Sequence, residues 1–177
     1  MIKGNNIEIR AIAEKDLDEL IAKLADSESL GEFLPSDFIS ESRFKREYNE
    51  HGFIQEDSAR YVITSKENKL LGSMWLFKSI PYFDSLEIGY HIFDKDSRGK
   101  GYATESVKLL SDFVFKSRQV NRLEIRMAVG NIASEKVALK AGFTHEGILR
   151  EAAFAHGKHY DMNTYSLLRR DWSARAC

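Results

Sequence analysis

The chain has 177 residues, enough for one domain with a sizeable core. Hydrophobic residues make up 43% and charged residues 30%, which excludes a disordered chain, and no apolar run approaches a membrane span. Lys and Arg number 26 against 27 Asp and Glu, so the formal net charge of −1 offers no bulk attraction to nucleic acid.

The opening Met1-Ile2-Lys3-Gly4-Asn5-Asn6 lacks the apolar core of a secretory signal, and the sole cysteine, Cys177, stands at the chain end. No internal disulfide framework or cysteine zinc site is expected, and a reducing cytoplasm is the natural setting. Neither proline, Pro35 or Pro81, sits in a linker-like stretch, and a single domain over 1–177 is expected. Ile7-Glu8-Ile9-Arg10 alternates as a half-buried strand. Leu17, Leu20, Ile21 and Leu24 recur at helical spacing. The stretch from Ser27 to Phe38 is irregular, broken by Gly31 and Pro35, and a second helix follows Ser40 through Phe44 and Tyr48. Arg60 to Thr64 and Leu70 to Phe77 form a hairpin around the polar turn Lys66-Glu67-Asn68-Lys69, and Leu86 to Phe93 gives another strand. A helix from Gly101 to Lys116 carries Val107, Leu110, Phe113 and Val114 on one face. Arg122 to Val129 is a strand, and Ser134 to Ala141 is a short helix stopped by Gly142. Two final strands turn near Gly157. This order gives an α+β or mixed α/β fold on one central sheet.

The segment richest in chemistry runs from Leu86 to Thr104, where a strand enters a glycine-rich turn that opens a helix. Glycines let the backbone take positive φ and approach a ligand closely. The N–H groups at the helix start, with Arg98 and Lys100 beside them, suit a pyrophosphate. The nucleotide-binding P-loop pattern is absent. The dinucleotide fingerprint is incomplete: Gly99 and Gly101 stand, but Thr104 holds the third place. The plainer alternative is an ordinary loop before a helix.

Arg98-Gly99-Lys100-Gly101-Tyr102-Ala103 resembles the R/Q-x-x-G-x-G/A signature of the GNAT superfamily of acetyl-CoA-dependent N-acetyltransferases. Glu87-Ile88-Gly89-Tyr90 is similar to the strand leading into it. Asn131-Ile132-Ala133-Ser134, Lys140-Ala141-Gly142-Phe143, Glu146-Gly147 and Gly157-Lys158-His159-Tyr160-Asp161 look like the RimJ/RimL-type, ribosomal-protein N-acetyltransferase-like branch. The resemblance spans roughly Ile7 to Trp172. It implies a single, mostly antiparallel sheet with splayed central strands, flanked by helices. It implies acetyl-CoA as co-substrate, no metal, an amine acceptor (a protein N-terminus or a small molecule such as an antibiotic), and a homodimer as in many relatives. Ile92 and Phe93 are then expected to hold the pantetheine arm through their main chain. Gly99, Lys100, Gly101, Tyr102, Ala103 and Thr104, with Arg98, are expected to wrap the pyrophosphate. Asn131 is expected to contact pantetheine, and the Ser134 hydroxyl to assist the departing thiolate. The plainer alternatives are a helix N-cap for Asn131 and a solvent-facing residue for Ser134. A main-chain N–H near His91 or Ile92 would serve the oxyanion.

One position departs from the pattern. Where some relatives carry a glutamate base, this chain has Ala153, with Glu151 two residues earlier and expected on the same strand face. Glu87 is the first candidate base, with a salt-bridged edge carboxylate as its alternative, and His91 is the second. Trp75, Phe33, Leu34, Phe38 and Tyr82 are candidates to line the acceptor pocket, and Glu28, Glu32, Asp37 and Glu41 to make it acidic. Asp161 is expected to be an acceptor within the last hairpin. A non-catalytic acyl-CoA sensor on the same fold is the rival from another class.

Overall fold

The computed structural model describes residues 1–26, 30–34 and 38–174. Eight strands form one sheet: β1 (Ile2–Lys3), β2 (Ile7–Ala11), β3 (Ser58–Ser65), β4 (Leu70–Phe77), β5 (Ser85–Ile92), β6 (Arg122–Ala128), β7 (Thr144–Ala155) and β8 (Lys158–Leu168). Their spatial order is β1-β2-β3-β4-β5-β6-β8-β7. Every pairing is antiparallel except β5 with β6. The described helices are α1 (Leu17–Ala25), α2 (Glu41–His51), α3 (Tyr102–Ser117), α4 (Ile132–Ala141) and α5 (Arg169–Ser173).

Strand alternation gives the sheet two apolar faces. Ile63, Met74, Leu76, Ile88, Leu123 and Ile125 pack on one side against Val107, Leu110 and Val114 of α3. Val62 and Leu70 pack on the other side with Leu17 and Leu20 of α1 and Phe44 of α2. The helix ends follow their local chemistry. Ser40 caps α2 by accepting from the Arg43 N–H at 3.3 Å. Gly142 closes α4 at φ 89, in the left-handed region that favours glycine.

The sheet opens at its one parallel junction. β5 and β6 are paired only at Ser85, Leu86 and Glu87, opposite Arg122, Leu123 and Glu124. Beyond Glu87 the strands part, while β5 stays paired to β4 as far as Ile92. The expected splay of two central strands is therefore present, and it exposes main-chain groups. Phe93 donates its N–H to the Leu71 carbonyl at 3.0 Å. In an antiparallel ladder, residues alternate between exchanging bonds with the partner and facing away. His91 and Gly89 thus share the orientation of Phe93 toward β4. Ile92, Tyr90 and Ile88 turn their N–H and C=O groups toward β6 and the gap.

Candidate active site

At the gap end of β5 the chain turns through a short 3-10 segment, Lys95–Ser97, into Gly99 and Gly101, at φ 75 and φ 86. A Cβ added at either glycine meets no protein atom within 4 Å, so backbone conformation is what demands glycine here. The first bond of α3 runs from the Glu105 N–H to the Gly101 carbonyl. The amides of Tyr102, Ala103 and Thr104 lie ahead of that ladder, as the leading N–H groups of any helix do. They form an anion cradle with the positive end of the α3 dipole behind it.

Lys100 and Arg98 are both exposed at this turn, and the side chain that folds back onto the end of β5 is that of Arg98. Its guanidinium donates to the carbonyls of Ile92 at 3.1 Å and Phe93 at 3.2 Å, and lies 3.5 Å from His91 Nε2. Arg98 thereby fixes the end of β5 against the loop, a role sequence reasoning did not assign it. The main chain of Phe93 is engaged within the protein on both its N–H and C=O sides. Of the two positions expected for an oxyanion donor, the His91 N–H faces β4, while the Ile92 N–H faces the gap.

Across the gap stands α4. Asn131 caps it: its side-chain oxygen accepts from the Ser134 N–H at 3.1 Å. Asn131 therefore precedes the helix rather than sharing a helical face with Ser134. The Ser134 hydroxyl lies 2.7 Å from the Tyr90 hydroxyl, which also donates to the Ser134 carbonyl at 3.2 Å. Burial pushes the Tyr90 pKa up to about 12 and outweighs the opposing effect of the serine bond. The phenol is therefore protonated at neutral pH. Sequence reasoning missed Tyr90, although strand alternation alone puts it on the α3–α4 face, opposite Glu87, Gly89 and His91.

The other face holds a cleft of about 440 Å³, lined by Leu34, Glu47, Arg60, Trp75, His91 and neighbouring residues. Trp75 stands opposite Gly89, and a Cβ at Gly89 would fall 1.9 Å from its indole Nε1, so the missing side chain is what seats the ring. Leu34 lines the cleft as expected, and its carbonyl lies 3.1 Å from His156 Nε2 of the last turn. Phe38 and Tyr82 are solvent-exposed, and Phe33 packs edge-on against Tyr160 instead. Glu28 and Asp37 lie outside the described residues, as does Cys177. Glu32 is exposed and Glu41 pairs with Lys45, so neither of these two makes the cleft acidic; the carboxylate on its wall is Glu47.

Glu87 takes an ion pair from Arg126 at 3.3 Å, so the salt-bridged alternative describes its ground state. Burial raises its pKa above the usual glutamate value, and Arg126 opposes that rise. Ala153 stands opposite Tyr160. The expectation that Glu151 shares its face fails, because the β7 register breaks between Leu149 and Ala153. There Glu151 adopts φ 50 and gives its N–H to Asp161 Oδ1 at 2.8 Å. Asp161 is thus an acceptor within the hairpin. Among the described residues no group of three or more His, Cys, Asp or Glu converges to hold a metal ion, and no helix is long and apolar enough to cross a membrane.

Comparison with known proteins agrees with this fold. Residues 6–144 match the family model described as acetyltransferase (GNAT) domain. YdaF of Bacillus subtilis (strain 168), provisionally named a ribosomal N-acetyltransferase, is 31% identical, covering 96% of this chain and 94% of its own. The ribosomal-protein-serine acetyltransferase of Escherichia coli (strain K12) is 29% identical, covering 92% of this chain and 93% of its own. The spermidine N-acetyltransferase of Vibrio cholerae, solved with CoA and spermine, superposes with a TM-score of 0.82 at 21% identity, covering 94% of this chain and 98% of that one. The chain belongs to the GNAT family of N-acetyltransferases.

Proposed function

We propose that the protein transfers the acetyl group of acetyl-CoA to a primary amine in a ternary complex, with the Tyr90–Ser134 pair assisting the leaving thiolate. The observation that carries this reading is the 2.7 Å contact between those two hydroxyls, across the gap that the Gly99–Gly101 turn closes. The cradle amides from Gly99 to Thr104 suit the pyrophosphate, and the outward main-chain groups of Tyr90 suit the pantetheine arm as an added strand, the Ile92 carbonyl being held by Arg98. What the bound co-substrate supplies is an acetyl thioester.

The Ile92 N–H, aimed at the gap, is suited to the charge that grows on the carbonyl oxygen as the amine nitrogen attacks. The new C–N bond forms as the C–S bond breaks. Ser134 gives its hydroxyl proton to the departing sulfur, the Tyr90 hydroxyl passes one to the serine oxygen, and water replaces the Tyr90 proton, so the pair ends as it began. Glu87, on the cleft face beside Phe77, accepts the proton lost by the amine through water. Positioning and oxyanion stabilisation supply most of the rate. We place this action in the cytoplasm, and the acceptor classes considered, a protein or a small amine, parallel relatives named for ribosomal-protein and spermidine acetylation. A polyamine acceptor fits less well, because Arg60 places positive charge in the cleft and Glu47 is already paired with Arg43.

The test is thiol release from acetyl-CoA over a panel of peptides and small amines, comparing the wild type with Ser134→Ala. Turnover on one acceptor class, reduced about tenfold or more in the variant, is the expected result (about 1.4 kcal/mol in barrier). Tight acetyl-CoA binding without turnover on any acceptor would favour an acyl-CoA sensor instead.

A further inference from the structure

Arg60 is a cation with little counter-charge inside the cleft. Its guanidinium lies over the rings of Phe44 and Phe53, 5.6 Å and 5.7 Å from their centroids. Among the described residues no carboxylate lies within ion-pair distance of it and no oxygen accepts a hydrogen bond from its side chain. Glu47 acts on it only at a distance, and the Glu47 carboxylate is held by Arg43 at 3.0 Å. A half-buried charge without a partner loses part of its hydration, and cation–π contact offsets only part of that cost.

The position is also built. Phe53 adopts φ 58, a left-handed conformation that a bulky residue rarely takes, directly after Gly52 at the same φ. From there its carbonyl accepts the Arg60 N–H at 2.9 Å while its ring faces the Arg60 guanidinium. Backbone strain is thus spent on holding one arginine against the cleft wall. Arg60 stands opposite Trp75, which stands opposite Gly89. With neighbouring strands about 4.8 Å apart, the Arg60 backbone lies roughly 10 Å across the sheet from the β5 gap, a span that the side chain shortens.

We propose that Arg60 is a specificity determinant that binds a carboxylate carried by the amine acceptor, so that the enzyme selects amines bearing an acidic group a few bonds from the reacting nitrogen. The planar fork of a guanidinium matches a carboxylate with two parallel hydrogen bonds, which an ammonium cannot reproduce. The carboxylate has two possible sources, an acidic side chain near a peptide N-terminus or the free α-carboxylate of an amino acid or short peptide. Identifying the ligand as the acceptor depends on the acetyltransferase reading above; binding of a carboxylate at Arg60 does not.

The test uses the full chain and four probes: Ser-Glu-Ala-amide, Ser-Gln-Ala-amide, glutamine and glutamine α-amide. Acetylation is followed by mass, and binding by the fluorescence of Trp75 with CoA present, in a Trp172→Phe background. The expected result is a preference of at least tenfold for one carboxylate probe over its amide partner, expressed in KM more than in kcat. Arg60→Met abolishes the preference and leaves turnover of the amide probes in place, while Arg60→Lys keeps only part of it. Discrimination by Ser-Glu-Ala-amide points to a side-chain source, and discrimination by glutamine to an α-carboxylate. Carboxylate-selective binding that needs Arg60, without acetylation of any probe, would uphold the subsite and count against the acetyltransferase reading. Equal binding and turnover of acid and amide by the wild type would overturn the proposal while leaving that reading intact. So would a preference that survives in folded Arg60→Met.

Discussion

Glu87 and Glu124 stand directly opposite each other across the parallel strand pair, and Arg126 reaches both, at 3.3 Å and 2.7 Å. Two carboxylates on one face of a sheet repel, and the shared guanidinium is what makes their pairing tolerable. Burial holds the Glu87 pKa above its ordinary 4.5, with Arg126 pulling the other way. A carboxyl group with a raised native pKa adds stability that is fully present below the unfolded value and is lost as pH rises through the native one. Arg126→Met should therefore raise that pKa further. The acid limb of the kcat/KM profile should move to higher pH, and the loss of stability on going from pH 4.5 toward neutrality should grow. Glu87→Gln should lower kcat by about 100-fold, the low end of general-base contributions, and erase that limb. A pH–rate profile with thermal melts reads both effects, and an unchanged acid limb in Glu87→Gln would remove Glu87 as the base.

Tyr90 and Ser134 act as one unit if the hydroxyl contact matters to catalysis. Tyr90→Phe and Ser134→Ala should each lower kcat by roughly tenfold, and the double variant should be little worse than Ser134→Ala alone. That is a coupling of about 1 kcal/mol in a double-mutant cycle. Additive losses would mean that the two residues contribute separately.

Gly89→Ala places a methyl carbon where the Trp75 indole now lies. Overpacking of this kind costs about 1–3 kcal/mol, and the displaced ring should reshape the cleft wall. The expected result is a lower Tm and a raised KM for the amine, with Tm recovered by adding Trp75→Leu. The melting curves of the single and double variants check this.

Arg98 and Lys100 should separate cleanly. Arg98→Ala frees the carbonyls of Ile92 and Phe93, so it should lower Tm and raise the KM for acetyl-CoA together. Lys100→Ala, at an exposed position, should leave stability within about 0.5 kcal/mol of the wild type. Its effect on KM should shrink as salt is added. Equal Tm losses from both would count against the bracing role of Arg98.

Much of the fold was legible because its signals are local. β4 was placed from Leu70 to Phe77 by a polar turn and β-branched neighbours, and α3 by the spacing of Val107, Leu110 and Val114. β1 has two residues and no period to detect; it exists because Ile2 pairs with Ile9. α5 is held by Trp172, whose indole packs on Phe115 and donates to Asp112, neighbours no sequence window contains. At the candidate site the glycine turn, Asn131 and Ser134 were legible as a motif. The partner of Ser134 was not, since Tyr90 lies 44 positions away and meets it only when β5 and α4 face each other across the gap. The expected face of Glu151 failed for the converse reason. Alternation presumes an unbroken ladder, and a bulge leaves no signature in residue types alone.

The parallel junction between β5 and β6 has a consequence for how the molecule assembles. β1 to β5 neighbour one another in chain order, and β6, β8 and β7 form a second group in which β8 inserts between β6 and β7. Backbone pairing between these halves is limited to three residue pairs of ladder, the rest of the join being side-chain contacts such as Arg126–Glu87 and Tyr90–Ser134 and the shared core under α3. The line along which the chain is least knitted together is thus the line along which a ligand would lie as an extra strand. Binding there would act as a suture, adding cohesion where the polypeptide supplies least of its own, and the resistance of the whole chain to unfolding should rise with co-substrate concentration.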